Sequence, residues 1–304
     1  MKKMLIIMGS MLLIALTIAA CKTMETATTL ATVVGQGTGV ITASQGESIR
    51  KSAMAVSKTL EKFTPEQEYY IGRSVGAIVV SKYSPYDNPQ LNQYINTIGQ
   101  TLAAASDLPE IFGGYHFLVL DSNDINAFAT PSGLIFVTRG LIRCCRSEDA
   151  LAAVLAHEIG HIQLRHGMQA IEKARMTEAL TVIATEGAKN LGSREVAQLT
   201  QTFSGAISDI ANTMINNGYS RSFEYQADQS TITILRRVGY HPGGLIDMLQ
   251  TMTKNIKPGG LDFAKTHPAP QNRIDEILKN KGTFTVVASP KSREDRFQKA
   301  IGRL

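Results

Sequence analysis

A five-residue string, His157-Glu158-Ile159-Gly160-His161, constrains this chain more than any other feature of its sequence. Residues four apart lie on one face of a helix, so the two histidines can direct their imidazoles at one cation. Glu158 lies one step round the helix and can reach a water beside that cation without ligating it. Two nitrogen ligands and a general base are half of what a hydrolytic zinc site requires.

The sequence around this string predicts a closely packed helix. Ser147 is suited to the N-cap, and the acids Glu148 and Asp149 favour the positive end of a helix. Apolar residues then recur at helical spacing through Arg165, with alanines between them. The alternative is a solvated helix with two surface histidines, which gives no reason for a charged Glu158 among packed alanines.

A catalytic zinc needs a third protein ligand and keeps one position open for water. Residues 220–228 offer that ligand, because Glu224 and Asp228 are four apart and share a helical face. Glu224 could ligate the metal. Asp228 could accept a hydrogen bond from the far nitrogen of a ligand histidine and so fix its tautomer. The alternative for this segment is an amphipathic helix with exposed acids.

Four motifs, taken in their order, make the chain similar to a known family. They are Asn126-Ala127-Phe128-Ala129-Thr130-Pro131-Ser132-Gly133, Leu155-Ala156-His157-Glu158-Ile159-Gly160-His161, Arg221-Ser222-Phe223-Glu224-Tyr225-Gln226-Ala227-Asp228 and His267-Pro268-Ala269-Pro270-Gln271-Asn272-Arg273. With them the chain resembles the HtpX-like and CAAX-prenyl-protease-like gluzincin metallopeptidases, over roughly residues 60–280. Integral members carry membrane-spanning helices, and this chain is more similar to the soluble bacterial lipoprotein members.

The resemblance implies a fold class and a role for individual residues. The expected fold is α+β and mainly helical, a compact metallopeptidase domain with a small β-sheet beside the helix that carries the HExxH string. One Zn²⁺ per chain is expected, with His157, His161 and Glu224 as its ligands. The resemblance also implies Glu158 as the base and Asp228 as the support of a ligand histidine.

Three roles are open to His267, which the resemblance places on the active-site side. It could take the fourth zinc position and keep the enzyme latent, it could contact substrate, or it could cap the helix after Pro268. The remaining histidines carry no comparable pattern and are expected to be surface or structural residues: His116, His166 and His241.

The first residues of the chain have the pattern of a lipoprotein signal peptide. Lys2 and Lys3 precede an apolar run that ends in Ile18-Ala19-Ala20-Cys21, which resembles a bacterial lipobox. Cleavage before Cys21 and lipidation of its thiol would follow, with a plain secretory signal as the alternative. By resemblance to lipoproteins of double-membrane bacteria, Lys22 rather than Asp after the cysteine favours the periplasmic face of the outer membrane. In a single-membrane host the protein would instead lie on the outer face of the only membrane.

The other two cysteines are adjacent, Cys144 and Cys145, and precede the predicted helix. They could form a strained disulfide in an oxidising compartment or pack as small buried hydrophobes. Removing residues 1–20 lowers the formal net charge from +5 to +3, because it takes away Lys2 and Lys3. So small a charge argues against a nucleic-acid partner.

Composition and periodicity divide the chain into four parts. Residues 1–20 are the signal peptide, 21–46 a flexible tether rich in Thr, Ala, Gly and Ser, 47–288 the catalytic domain and 289–304 a charged tail. Helices are predicted from Thr64-Pro65, over 88–105, 147–165, 168–217, 221–238, 247–255 and 274–280. Strands are predicted over 117–120, 134–137 and 284–287, with Asn126-Ala127-Phe128 joined to the second of these.

These features favour a zinc metalloendopeptidase of the bacterial cell envelope. Its expected substrates are unfolded or misassembled envelope proteins, held in extended form by the strand at Asn126, Ala127 and Phe128. Its expected membrane contact is the lipid on Cys21. One alternative is an assembly factor with chaperone-like binding and latent protease activity. A purely structural zinc site is disfavoured, because such sites usually close with four ligands, mostly Cys, and do not need Glu158.

Overall fold

The computed structural model describes Glu47 and residues 63–170, 213–255, 267–285, 288–302 and 304 of the chain. Apart from Glu47, they belong to one structural unit, residues 63–170 and 207–304. Its helices are α1 Pro65–Lys82, α2 Pro89–Ala104, α3 Arg139–Cys144, α4 Glu148–Gln163, α5 Arg221–Arg237, α6 Gly243–Asn255, α7 Pro270–Lys281 and α8 Lys291–Ile301. The strands are β1 His116–Leu120, β2 Ala127–Ala129 and β3 Leu134–Thr138, and Thr213–Asn217 forms a π-helical turn. The prediction of a mainly helical α+β fold with a small sheet is confirmed.

The sheet has the strand order β1-β3-β2, with β1 parallel and β2 antiparallel to β3. Phe128 pairs with Phe136, and Phe117 pairs with Ile135. The turn between β2 and β3 depends on Gly133, whose φ of +83° lies in the left-handed region that a side chain disfavours. All three residues of β2 are buried, and β2 lies directly beside α4.

Helix α4, which carries the HExxH string, lies at the centre of the unit. Ser147 caps it, since its Oγ accepts a hydrogen bond from the Ala150 amide at 3.1 Å. Every residue from Glu148 to Ile162 is buried, and the neighbours of α4 include α2, α5, α6 and the sheet. A helix that is buried on all sides is a core helix, so the alternative of a solvated helix with surface histidines is wrong.

The contact between α4 and α5 depends on small residues. A Cβ at Gly160 would lie 3.1 Å from the Ala227 carbonyl oxygen and 3.2 Å from the Ala227 Cα. Both distances are shorter than an ordinary packing contact, so glycine permits this close approach without a shift of the neighbouring helix. The close approach brings the residues of α5 that follow Ser220, the cap of this helix, up to the histidines of α4.

Charged residues tie the start of α4 to the last helix. Glu148 accepts hydrogen bonds from the hydroxyls of Tyr94 and Tyr240, both at 2.7 Å, and from Arg296. Asp149 accepts one from Arg293 at 2.7 Å. Both acids are buried, and anions at a helix N-terminus are favourable. Helix α8 therefore packs against the core, with Phe297 buried, where the sequence predicted a charged tail over 289–304.

Other predictions have mixed outcomes. The predicted strand 284–287 is not found where the structure describes it, because residues 284–285 have no regular structure and 286–287 lie outside the described residues. The signal peptide, the tether and most of the predicted helices over 168–217 also lie outside them. Among the helices that the structure does describe, none is long and apolar enough to cross a bilayer.

Glu148→Gln tests the ion-pair network at the start of α4. Burial by itself raises the pKa of Glu148, but Arg296 and the two tyrosine hydroxyls outweigh it and hold the pKa below its usual value. The carboxylate therefore stabilises the fold above the unfolded-state pKa, about 4.3, and this contribution is lost as the pH falls through the folded-state pKa. We expect the variant to lose about 1–3 kcal/mol of unfolding free energy at pH 7.

Urea unfolding at pH 7 and at pH 3 measures this difference, with exposed Glu110→Gln as the matched control. The difference between Glu148→Gln and the unmodified chain should narrow at pH 3. An equal loss at both pH values would show that the ionised carboxylate is not the source of the stability.

Candidate metal centre

Four side chains converge between α4, α5 and the segment that precedes α7. They are His157, His161, Glu224 and His267, all buried, with their donor atoms within 4.8 Å of one another. His157 Nε2 and His161 Nε2 are 3.1 Å apart. Each lies 3.4 Å from one oxygen of the Glu224 carboxylate. The sequence predicted the first three as zinc ligands, and the fold brings them together.

The donor set fits zinc by both chemistry and spacing. Imidazole nitrogens and a carboxylate oxygen are ordinary zinc ligands, and bonds of about 2.0–2.1 Å in a tetrahedron hold the ligand atoms about 3.3 Å apart. The separations of 3.1 Å and 3.4 Å among His157, His161 and Glu224 are close to this value. Within the described part of the chain, Glu224 Oε1 has no hydrogen-bond partner, as expected of an atom placed to bind a cation.

His267 lies against the same cluster. Its Nδ1 is 2.5 Å from Glu224 Oε2, and its ring centroid is 5.4 Å from that of His157. It follows α6 in the chain and precedes Pro268 and α7. Of the three roles open from the sequence, this position agrees best with a place beside the metal.

Asp228 and Arg273 support His157 on the side away from the cluster. His157 Nδ1 lies 3.0 Å from Asp228 Oδ1. Arg273 binds the same carboxylate through two nitrogens, at 2.9 Å and 2.5 Å, and its Nη2 is 3.2 Å from His157 Nδ1. The Arg273 guanidinium and the Asp228 carboxylate are both buried, and the positive charge of the guanidinium offsets the cost of burying the carboxylate. The sequence singled out Asp228 but assigned no role to Arg273.

His161 has a different support, which the sequence analysis missed. His161 Nδ1 lies 2.8 Å from the Nδ1 of His166, which is fully buried. The sequence analysis placed His166 among the surface or structural histidines. Five residues separate the pair, and residues five apart point in different directions on a continuous helix, so helical spacing gave no signal for this contact.

Glu158 has the environment of a base that is kept for chemistry. It is 2% exposed, and its Oε1 has no hydrogen-bond partner among the residues that the structure describes. Burial raises its pKa to about 7, against the opposing charge of His157. Burial also acts to raise the pKa of Glu224, but His267 and His161 outweigh it and hold that pKa well below the usual value. Two nearby carboxylates thus differ in their affinity for a proton.

The remaining predicted residues occupy defined places. Asn126, Ala127 and Phe128 lie at and in β2 beside α4, while Cys21 lies outside the described residues. Cys144 and Cys145 are buried and form no disulfide, so they pack as small apolar residues. Two other histidines donate to carbonyl oxygens at a distance from the cluster, His116 to Gly113 and His241 to Thr285.

Comparisons with known proteins agree with this geometry. Residues 89–281 match peptidase family M48. The chain is 32% identical to a beta-barrel assembly-enhancing protease of Yersinia pestis over 199 residues, which is 63% of this chain and 39% of that protein. It is 28% identical to metalloprotease LoiP of Escherichia coli over 162 residues, covering 53% of this chain and 61% of that protein. It is also 30% identical to the mitochondrial metalloendopeptidase OMA1 of Schizosaccharomyces pombe over 190 residues, with coverages of 60% and 51%.

A mainly helical domain with an HExxH helix and a buried cluster of histidine and carboxylate donors defines a metallopeptidase. The match over residues 89–281 extends from the start of α2 to the end of α7 and so includes the whole cluster. The chain belongs to peptidase family M48. It spans about two fifths of the length of the assembly-enhancing proteases that it matches.

His161→Ala tests the ligand set. We expect the purified chain to bind one zinc ion and the variant to bind it far more weakly, by more than the ~10–100-fold loss typical of a residue that only supports a ligand. Chelator competition with metal analysis measures this affinity. His116→Ala, which removes an exposed histidine outside the cluster, is the control. Undiminished zinc in His161→Ala would exclude this ligand assignment.

Proposed function

We propose that this metalloendopeptidase uses one zinc ion, bound by His157, His161 and Glu224, to hydrolyse peptide bonds of unfolded or misassembled envelope proteins. The observation that supports this most strongly is the pairing of a zinc-spaced donor set with the buried carboxylate of Glu158, one oxygen of which has no partner among the described residues. A structural site needs no such base.

The residues divide the work of hydrolysis. His157, His161 and Glu224 would hold the zinc ion, which when bound would lower the pKa of water toward about 7 and polarise the scissile carbonyl. Glu158 takes the proton from the attacking water, and its raised pKa of about 7 suits it to both hold and release a proton. It then donates that proton to the leaving amine. Asp228 and Arg273 hold the His157 ring in place while this happens.

Strand β2 is proposed to align the substrate. Thr138 donates to the Asn126 carbonyl at 3.0 Å, and Thr130 donates to Leu134 at 2.9 Å, so alternate residues of this segment pair with β3. The main-chain groups of the residues between them, such as Ala129, point away from β3. An extended peptide could pair with this edge beside α4, as an added strand does.

His267 is proposed to occupy the fourth position at the zinc in a latent form. Its Nδ1 reaches Glu224 Oε2, and the ligand residues are almost completely buried. In this arrangement a substrate carbonyl and His267 compete for one position, so opening must withdraw His267. Because the ligand residues are buried, a substrate has little access to them. This favours the alternative function, an envelope assembly factor that binds client proteins and cleaves them rarely.

The substrate class rests on location and on relatives. The lipobox-like Ile18-Ala19-Ala20-Cys21 predicts an exported protein with a lipid on Cys21, and Lys22 favours the periplasmic face of the outer membrane. The proteins of Yersinia pestis and Escherichia coli that it matches are named for enhancing beta-barrel assembly. A protease held at that surface would meet outer-membrane proteins before they are folded.

Glu158→Gln tests the catalytic assignment. Glutamine keeps the shape of the side chain but cannot accept the proton, so we expect a loss of ~10²–10⁴-fold in turnover with zinc retained. Casein cleavage measures the turnover and metal analysis of the same preparation measures the zinc content, with Glu110→Gln as the control. Near-normal turnover in the zinc-loaded variant would exclude Glu158 as the base. Slow turnover in the unmodified chain, with tight binding of unfolded protein, would favour the assembly factor.

Cys21→Ser tests the lipid anchor. Two or more acyl chains give firm membrane attachment, so the unmodified protein should need detergent for extraction, while the variant should leave the membrane fraction. Fractionation of cells that express each form, with a salt wash and a detergent wash, measures this. A salt-extractable unmodified protein, or a variant that stays in the membrane fraction, would contradict lipid attachment at Cys21.

A further inference from the structure

His166 is the buried histidine that the proposed reaction leaves without a task. It is 0% exposed, lies outside the donor cluster, and contacts that cluster only through His161. We propose that His166 is a positioning residue which fixes His161 in the tautomer that can bind the metal. This inference rests on the proposed zinc site and adds to it a residue whose role is to hold the second ligand.

A break in the helix brings His166 to His161. Helix α4 ends at Gln163, and Arg165 has a φ of +55°, the only positive φ at a non-glycine position in the described part of the chain. A left-handed residue turns the chain sharply, and it is costly for a side chain other than Asn, Asp or Gly. The turn lets His166 point back at a residue that it could not face on a continuous helix. The tertiary structure thus maintains a strained residue at the point where this contact requires one.

Hydrogen bonds on the far side of His166 decide its tautomer. His166 Nε2 lies 3.2 Å from the side-chain oxygen of Gln226, and the amide nitrogen of Gln226 donates to Ser222 Oγ at 3.4 Å. With its amide oriented this way, Gln226 accepts a proton from His166 Nε2. His166 Nδ1 is then an acceptor, because a neutral imidazole carries only one N–H.

The tautomer of His161 follows from that of His166. Its Nδ1, 2.8 Å from His166 Nδ1, must be the donor in this pair. The lone pair of His161 is therefore on Nε2, the atom that faces Glu224 and His157 in the cluster. The opposite arrangement would put the proton on Nε2, where it blocks metal binding. Only one of the two orders of donor and acceptor is compatible with a ligand at His161.

Packing holds the supporting ring in one orientation. His166 is stacked on Phe223, with centroids 4.2 Å apart and an angle of 3° between the planes. On the other side of the contact, the His161 ring is stacked on Tyr219 at 4.6 Å. Two imidazoles held between aromatic faces cannot rotate freely, so the Nδ1 to Nδ1 contact keeps its direction.

Helix α5 consequently holds both ligand histidines as well as supplying a ligand. Asp228 acts directly on His157, while Gln226 acts on His161 through His166. Asp228 is charged and is neutralised by Arg273, whereas Gln226 and the neutral His166 carry no charge. A further negative charge beside Glu224 and Glu158 would raise the pKa of the Glu158 carboxyl group. A neutral support avoids this and so favours the ionised form of Glu158, which can act as the base.

Substitution of His166 by one residue that cannot accept a hydrogen bond and by another that can tests the proposal. His166→Phe keeps a ring for the stack on Phe223 but cannot accept the proton of His161. His166→Asn places an oxygen near the position of Nδ1 and can accept it. Gln226→Leu removes the outer acceptor at an exposed position, so it carries little risk for folding. Gln229→Leu on the same exposed helix surface and His116→Phe are the matched controls.

Two measurements on the full chain provide the readout. Chelator competition gives the zinc affinity, and long-range ¹H–¹⁵N spectra of the imidazoles give the tautomer of His161 in the zinc-free protein. We expect His166→Phe to weaken zinc binding ~10–100-fold and to shift His161 away from the Nδ1–H form. His166→Asn should keep a zinc affinity close to that of the unmodified chain. The zinc affinity of Gln226→Leu should lie between those of His166→Asn and His166→Phe. Circular dichroism of the zinc-free variants checks that they fold.

The outcomes separate this proposal from the function on which it rests. If the unmodified chain binds no zinc, the metal site itself is wrong. If it binds zinc and His166→Phe binds as tightly as His116→Phe, His166 is not a positioning residue. If His166→Asn loses as much affinity as His166→Phe, or if the tautomer of His161 is unchanged in both, His166 acts only by packing and the proposal is overturned.

Discussion

The close contact of α4 with α5 at Gly160 and Ala227 is the constraint on which the rest of the structure depends. Without a side chain at position 160, the two helix backbones approach until a Cβ would lie 3.1 Å from a carbonyl oxygen. That distance sets how far Glu224 lies from the two histidines, and zinc tolerates only small deviations in its bond lengths. A larger residue would require the neighbouring helix to shift by a few tenths of an ångström at this contact. The glycine inside the HExxH string therefore controls the site through packing rather than through chemistry.

Burying so many charged groups is stable because most of them are paired. Ionised groups removed from water lose several kcal/mol of hydration each, and the loss is recovered only with good geometry and further hydrogen bonds. Arg273 and Asp228 form a bidentate pair behind His157, and Glu148 has an arginine and two tyrosine hydroxyls. Glu158 and Glu224 each have one oxygen without a hydrogen-bond partner among the described residues, and of these two only Glu158 has a raised pKa, because of its burial. The stability of the surrounding network permits one poorly solvated group where chemistry requires it.

Local signals predicted a large part of the architecture. Ser147 caps α4 as its sequence predicts, and the runs of apolar residues form β1 and β3 within a residue of the predicted ends. The prediction for the last residues differed from the structure because a charge pattern was interpreted without knowledge of a partner. Helix α8 has a charged sequence, yet its arginines meet Glu148 and Asp149, which are 144 to 148 positions away. A surface tail and a docked helix are alike in sequence when the partner is distant.

The sequence by itself determined the donor residues of the site, because a helical repeat of four places His157 beside His161 and Glu224 beside Asp228 whatever else the chain does. Only the tertiary structure decided which supports those donors receive. Arg273 reaches Asp228 from another helix, and His166 reaches His161 through a left-handed turn at Arg165. Neither contact follows a helical or strand period. The spacing of residues along the sequence determines which side chains share a helix face, whereas contacts across helices and through turns depend on how close the packed backbones come.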